Sequence, residues 1–229
     1  MAKFFSKPKV FLNYKTFVIQ VIALFIALFS LFSNEWLANS SPVIFHPYSR
    51  SWGLFRVIGR TIRTHNSQWS TACLTVHKFS LGGCTTPLCK WYSQKCSAFR
   101  IISIVSHVTA GLVAASIFAT FLSMVFSLRK SIKVVRFSLG FAIVGFILII
   151  ASIVLYTFGM EQAFQLINAV GYYPVPQPAV SYIFACVYSL LTLISVILHG
   201  LTIRQLSREM TYIQQAKTEA TKIREEYGI

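Results

Sequence analysis

Four stretches of the chain are apolar for long enough to cross a bilayer, and the segments between them are short or polar. The first runs from Phe17 to Ser33, with Gln20 as its one strongly polar residue; the others are Ile101 to Leu128, Phe137 to Phe158 and Ala179 to Ile203. A hydrocarbon core takes about 20 apolar residues as a helix. In lipid each run must be helical, because no water is present to satisfy free backbone groups. The pattern therefore predicts transmembrane helices at 17–33, 101–128, 137–158 and 179–203. They are joined by a long loop 34–100, a short link 129–136 and a second loop 159–178, with tails at 1–16 and 204–229. The first run has the basic start of a secretory signal (Lys3, Lys7, Lys9, Lys15). Its apolar part is long for one, and Ser33-Asn34-Glu35-Trp36 is a poor cleavage site, so it is expected to remain in place.

The polar positions set the expected orientation. Lys and Arg accumulate in the N-terminal tail, in the short link (Arg129, Lys130, Lys133, Arg136) and in the C-terminal tail (Arg204, Arg208, Lys217, Lys222, Arg224). The loop 159–178 has none and carries Glu161. By the positive-inside rule, both tails and the link face the cytosol and the two loops face outward. Loop 34–100 departs from the rule: Arg50, Arg56, Arg60, Arg63, Lys78, Lys90, Lys95 and Arg100 stand against a single Glu35. Long loops cross largely regardless of charge. Across the 229 residues, 21 Lys and Arg face 6 acids, a net +15, while 55% of residues are apolar and 12% charged. That composition excludes an ordinary soluble domain. Much of the basic excess flanks the spans, which points to lipid rather than nucleic acid.

The chemistry of the outer loop begins with its cysteines. Cys73, Cys84, Cys89 and Cys96 all lie in it, whereas Cys186 is inside the fourth span. An even number on the expected oxidising side reads as two disulfides. Of the three pairings, Cys73–Cys84 with Cys89–Cys96 is preferred on spacing. Zinc is the rival, but no CxxC and no His at ligand spacing support it. Ser51 to Ile58 and Ala72 to Val76 mix aromatic and β-branched residues and read as strands. The turn residues Ser80 to Gly83 and Thr85 to Pro87 follow them. All four Trp (Trp36, Trp52, Trp69, Trp91) fall here, as an interfacial belt with a small core or as exposed recognition residues.

These residues resemble the claudin and peripheral myelin protein superfamily. Its first outer loop holds a Trp, then Gly-Leu-Trp, then two Cys, with an Arg at the mouth of the second span. Here the series is Trp36, Trp52-Gly53-Leu54-Phe55, Trp69 leading to Cys73 and Cys84, then Arg100; Phe55 replaces the Trp, the Cys come later, and a second Cys pair is added. The chain is also similar to the amastins, whose signature opens Cys–aliphatic–Thr–aliphatic as in Cys73-Leu74-Thr75-Val76, although His77-Lys78 stands where amastins have Trp-Gly. The resemblance implies an all-α transmembrane four-helix bundle carrying a small disulfide-stapled extracellular antiparallel β-sheet. It implies adhesion, junction-like or surface roles, paracellular pores, or auxiliary channel subunits.

No GxSxG, HExxH or phosphate-loop pattern is present, and only Glu35 and Glu161 are acids on the outer side, so no enzyme and no cofactor are expected. His107 is an ionisable residue within a span, a functional candidate or a neutral partner bonded across the bundle; His199 is expected at the interface. Gly111, Ala115 and Ala119, with Gly140 and Gly145, are small residues suited to helix packing. Asn39-Ser40-Ser41 is a sequon expected to go mostly unused beside the membrane and before Pro42. The tail keeps an apolar stripe (Leu206, Met210, Ile213, Ala216, Ala220, Ile223, Tyr227), predicting that the fourth helix continues beyond the bilayer. Tyr227 and Ile229 are candidates for capture of the C-terminus by a peptide-binding groove. Arg50, Arg56, Arg60 and Arg63 are the candidate patch for an anionic partner. The expected partners are membrane lipids and other membrane proteins, including further copies, with no nucleic acid. The expected setting is the plasma membrane, or alternatively an organellar inner membrane. The competing functions are a surface interaction protein, an accessory subunit of a larger membrane complex, and an anion-selecting pore.

Overall fold

A computed structural model describes residues 11–41, 48–58, 63–79, 87–128, 131–168 and 176–227. Its frame is four long apolar helices: α1 (Phe11–Phe32), α3 (Pro87–Ser127), α4 (Ile132–Asn168) and α5 (Val180–Tyr227). All four are long and apolar enough to cross a membrane. They pack in a ring, α1 against α3 and α5, α4 against α3 and α5. Each is longer than its apolar window. α3 begins at Pro87, where a missing N–H costs nothing in a first turn. Lys90, Lys95 and Arg100 end the oily stretch without ending the helix, because straight-chain cations are good helix formers. At 48 residues, α5 rises about 72 Å, more than twice the hydrocarbon thickness.

One end of the ring carries an antiparallel sheet with strand order β4-β3-β2-β1-β5. The strands are β1 (Leu37–Ser41), β2 (Tyr48–Trp52), β3 (Arg56–Ile58), β4 (Arg63–Thr64) and β5 (Gln177–Pro178). β1 pairs with β2 from Leu37↔Trp52 to Ser41↔Tyr48, and β5 adds to the other side of β1 at Ala38↔Gln177. The two long inter-helix segments thus meet in a single sheet. Ser51 to Ile58, read from the sequence as one strand, is a hairpin that turns at Gly53, whose N–H donates to the Arg56 carbonyl at 2.8 Å.

A second expectation is corrected. Ala72 to Val76 is not a strand but part of α2 (His65–Phe79). Thr64 caps it, accepting from the Ser67 N–H at 3.2 Å. His65 and Ala72 are buried and Trp69 half-buried at helical spacing, while Ser67, Ser70, Thr71 and Leu74 are exposed. The period of burial, not the β-branched content, decided the element.

The preferred disulfide pairing is also overturned. Cys73 is bonded to Cys96, so the bridge joins α2 to α3 rather than stapling the sheet. Once α2 is helical, Cys73 faces the helix it packs on, and the nearest cysteine in sequence is no longer the nearest in space. Cys89 is disulfide-bonded as well, and Cys84 lies outside the described residues.

Candidate functional site

The sheet is keyed to the bundle by two tryptophans. Trp36 follows the end of α1 and is fully buried; its indole N–H donates to the Ser30 carbonyl at 2.6 Å, and its ring meets Tyr156 edge-on at 4.9 Å. Its backbone takes part as well: Trp36 N–H donates to Trp52 O, and Ala179 N–H donates to Trp36 O. Trp52 is buried between Phe99, Phe164 and the His65 ring. Gly53 presses its backbone against Asn34; a Cβ there would lie 2.6 Å from the Asn34 Cα. Trp36, Trp52, Gly53 and Leu54 therefore form one node, with Leu54 fully buried, whereas Phe55 is exposed at the turn.

His65 closes this node. Its Nε2 lies 2.7 Å from the Gly53 carbonyl, which only accepts, so Nε2 carries the proton. Nδ1 is buried with no hydrogen-bond partner among the described residues. Burial pushes its pKa down to about 4, opposed by the Gly53 bond and assisted by the electrostatic influence of the nearby His107. A neutral, enclosed imidazole of this kind holds a turn in place and offers no reachable base.

α2 and α3 form a hairpin with three regularly spaced links. Ser103 donates to Asn66 at 2.6 Å, the Arg100 guanidinium lies 5.9 Å from the Trp69 ring centroid, and Cys73 is bonded to Cys96. Arg100 thus reaches back over α2. Further along, Lys95 sits 4.7 Å over Trp91, which meets Tyr92 edge-on.

The candidate arginine patch is only partly described. Arg56 and Arg63 are exposed. Arg56 pairs with Thr64 and Arg63 with Val57, so the pleat sends the two arginines to opposite faces of the ribbon. Arg50 stands opposite Asn39 in the β1–β2 register, and Arg60 lies outside the described residues. Exposed Lys90 adds charge on α3. No acid occurs in the sequence between Glu35 and Glu161, and both of these are exposed.

Inside the ring runs a polar spine that hydropathy alone did not reveal. Gln20 donates to Ser123 at 2.8 Å, and Ser123 and Ser138 exchange bonds across α3 and α4. Ser138 reaches His199 Nε2 at 2.7 Å, and His199 Nδ1 donates to the Ser195 carbonyl. Ser116 and Thr120 both meet the Tyr188 hydroxyl. His199, expected at an interface, is instead buried and bonded across the bundle. His107 is exposed, and its described hydrogen bond runs back to the Ser103 carbonyl on its own helix. Gly145 is a close-packing position, where a Cβ would lie 2.9 Å from Thr120 Oγ1. Gly111 and Ala115 are exposed, and of that stripe only Ala119 is buried. The serine spacing was the available signal for the spine, since buried hydroxyls in an apolar bundle need partners.

Among the described residues no three His, Cys, Asp or Glu come together to hold a metal. Cys186 is a free thiol, exposed on α5. The sequon residues Asn39–Ser41 lie in β1. Beyond the ring, α5 continues as a helix to Tyr227 with Met210, Tyr212 and Ile213 exposed. Ile229 and the Tyr227 side chain lie outside the described residues. No protein-family model and no curated protein sequence matches the chain.

Proposed function

We propose that the chain is a non-enzymatic membrane tetraspan of the claudin-like and amastin-like kind, acting by protein–protein interaction at a cell surface in an adhesion or junction-like role. In this reading both termini lie in the cytosol and the sheet end faces outward. The supporting observation is the way the sheet is mounted. Strands from both long segments share one sheet, which Trp36 and Trp52 seat on the helix ends. A seat of this kind holds the exposed side chains of the described strands in fixed positions, as a recognition surface requires. The sheet end, outward in this reading, exposes Arg56 and Arg63 on opposite faces of the β3–β4 ribbon and Lys90 and Arg100 on α3, in a stretch of sequence without acids, which suits an anionic protein partner. The test is proximity labelling from a tag in the 42–47 segment in intact cells, with charge-neutralised Arg56→Gln/Arg63→Gln as the comparison. A stable set of labelled surface proteins that weakens in the variant supports the reading; labelling indistinguishable from bulk membrane protein contradicts it.

A second reading, an accessory subunit of a larger membrane complex, is favoured by one feature. α5 runs far past the ring with Met210, Tyr212 and Ile213 exposed. Truncation after Arg204 separates the two: it should leave surface labelling intact under the first reading and dissolve the complex under the second.

A further inference from the structure

We propose that the start of α4 is a binding site for an anionic phospholipid, with the phosphate between Lys133 and Arg136 and an acyl chain in the notch over Gly140. The inference rests on reading the four apolar helices as membrane spans.

A groove of about 520 Å³ lies along this part of the helix. Among the described residues it is lined by Lys133, Arg136, Phe137, Gly140, Phe141 and Val144. These positions recur at spacings of three and four and so share one side of α4. The two cations occupy the first two turns, and the remaining four positions are apolar. From Arg136 to Val144 the helix rises about 12 Å. The groove is thus polar at its mouth and oily along its length, the polarity sequence of a phospholipid entering one leaflet.

Gly140 supplies the notch. A Cβ built on it meets nothing within 4 Å, so helix packing does not explain the missing side chain, in contrast to Gly145. Beside it, Phe141 is held by stacking on Phe126, with centroids 5.8 Å apart and planes 14° from parallel, which fixes one wall. Phe137 and Val144 are exposed on either side along the helix.

The charge at the mouth selects the occupant. Lys133 and Arg136 are exposed, and the link just before them adds Arg129 and Lys130 in sequence. Of the tail acids Glu209, Glu219, Glu225 and Glu226, the first lies ten residues past His199, about 15 Å of helix, whereas Lys133 and Arg136 lie within five residues of its partner Ser138. A neutral lipid would use only the groove and a free phosphate only the cations. An anionic phospholipid uses both, and each basic residue near an anionic headgroup favours binding by roughly fivefold.

The test uses the purified full-length protein in mild detergent, titrated with phosphatidylglycerol, phosphatidylcholine or inorganic phosphate and read by native mass spectrometry. Wild type should retain phosphatidylglycerol about thirtyfold better than phosphatidylcholine. Lys133→Gln/Arg136→Gln should bring the two lipids to near parity. Gly140→Leu, which fills the notch where there is room for a side chain, should weaken both lipids together. Millimolar phosphate should not displace the lipid. Equal retention of the two lipids by wild type, a preference that survives Lys133→Gln/Arg136→Gln, undiminished retention of both lipids by Gly140→Leu, or full displacement by phosphate would each overturn the site. Alkaline extraction of native membranes keeps the two readings apart. Release of the chain would sink the spanning reading itself, whereas retention with no lipid preference would sink only the site.

Discussion

Cys73 and Cys96 are joined across the α2–α3 hairpin in step with two other links, Trp69 to Arg100 and Asn66 to Ser103. Moving three or four residues along α2 matches the same step back along α3, so the bridge locks a register that the aromatic and polar contacts already favour. Tryptic digestion without reduction should therefore link peptide 64–78 to peptide 96–100. A link from Cys73 to Cys84 would contradict the fold of α2. Cys73→Ser should lower stability by roughly 3 kcal/mol, given the 23-residue separation.

His65 gives the sheet end a pH dependence of known sign. Its pKa falls from 6.5 unfolded to about 4 folded, so between these values the unfolded chain binds a proton that the folded one does not. Stability is unaffected above about pH 6.5 and is lost as pH falls toward 4, by about 3 kcal/mol in full. Thermal midpoints in detergent should drop over this window, and His65→Gln, which keeps a donor for Gly53, should flatten the drop. An unchanged slope in the variant would assign the effect elsewhere.

Two glycines should respond in opposite ways to the same substitution. Gly53→Ala forces a methyl group onto the Asn34 backbone, which has no flexible end to yield, and should cost about 1–3 kcal/mol. Gly140→Ala meets open space and should be neutral or slightly stabilising, because alanine is the better helix former. Thermal stability of the paired variants decides it, and equal losses would contradict the seating of the sheet.

The polar spine is asymmetric at Gln20. Its Nε2 donates to Ser123, while its Oε1 is buried with no hydrogen-bond partner among the described residues. Removing Ser123 strands a second atom of the amide, so Ser123→Ala should cost about 1 kcal/mol. Gln20→Leu removes a half-satisfied group and should be nearly neutral. A double-mutant cycle on thermal stability tests the pair; a larger loss for Gln20→Leu than for Ser123→Ala would contradict the described bond.

The four apolar helices were legible in the sequence because hydropathy reports burial in lipid directly. Their ends were not: Pro87 to Arg100 and Gly159 to Asn168 are helical but polar or mixed, and hydropathy sees the membrane, not the helix. The strand content of the loop was visible in Trp52 and Val57, but β-branched residues misled at Ala72 to Val76, where the Thr64 cap and the spacing of His65, Trp69 and Ala72 held the better signal. Disulfide connectivity followed from that error, since pairing by sequence distance assumes an extended loop. The motif residues Trp36, Trp52, Gly53 and Leu54 converge on one node. Arg56 and Arg63 diverge, because proximity along a chain says nothing about which face of a pleat a side chain takes.

The proposed role of the sheet end as the working surface can be read out by site-specific photo-crosslinking in the native membrane of the full-length protein, with the probe at Arg56, Leu74 or Lys90 and, for comparison, at Met210. All four positions are exposed. Discrete protein adducts should form from the sheet-end positions and fade as salt rises, with little from Met210. Adducts from Met210 alone, with none from Arg56, Leu74 or Lys90, would contradict it and move the function to the α5 tail.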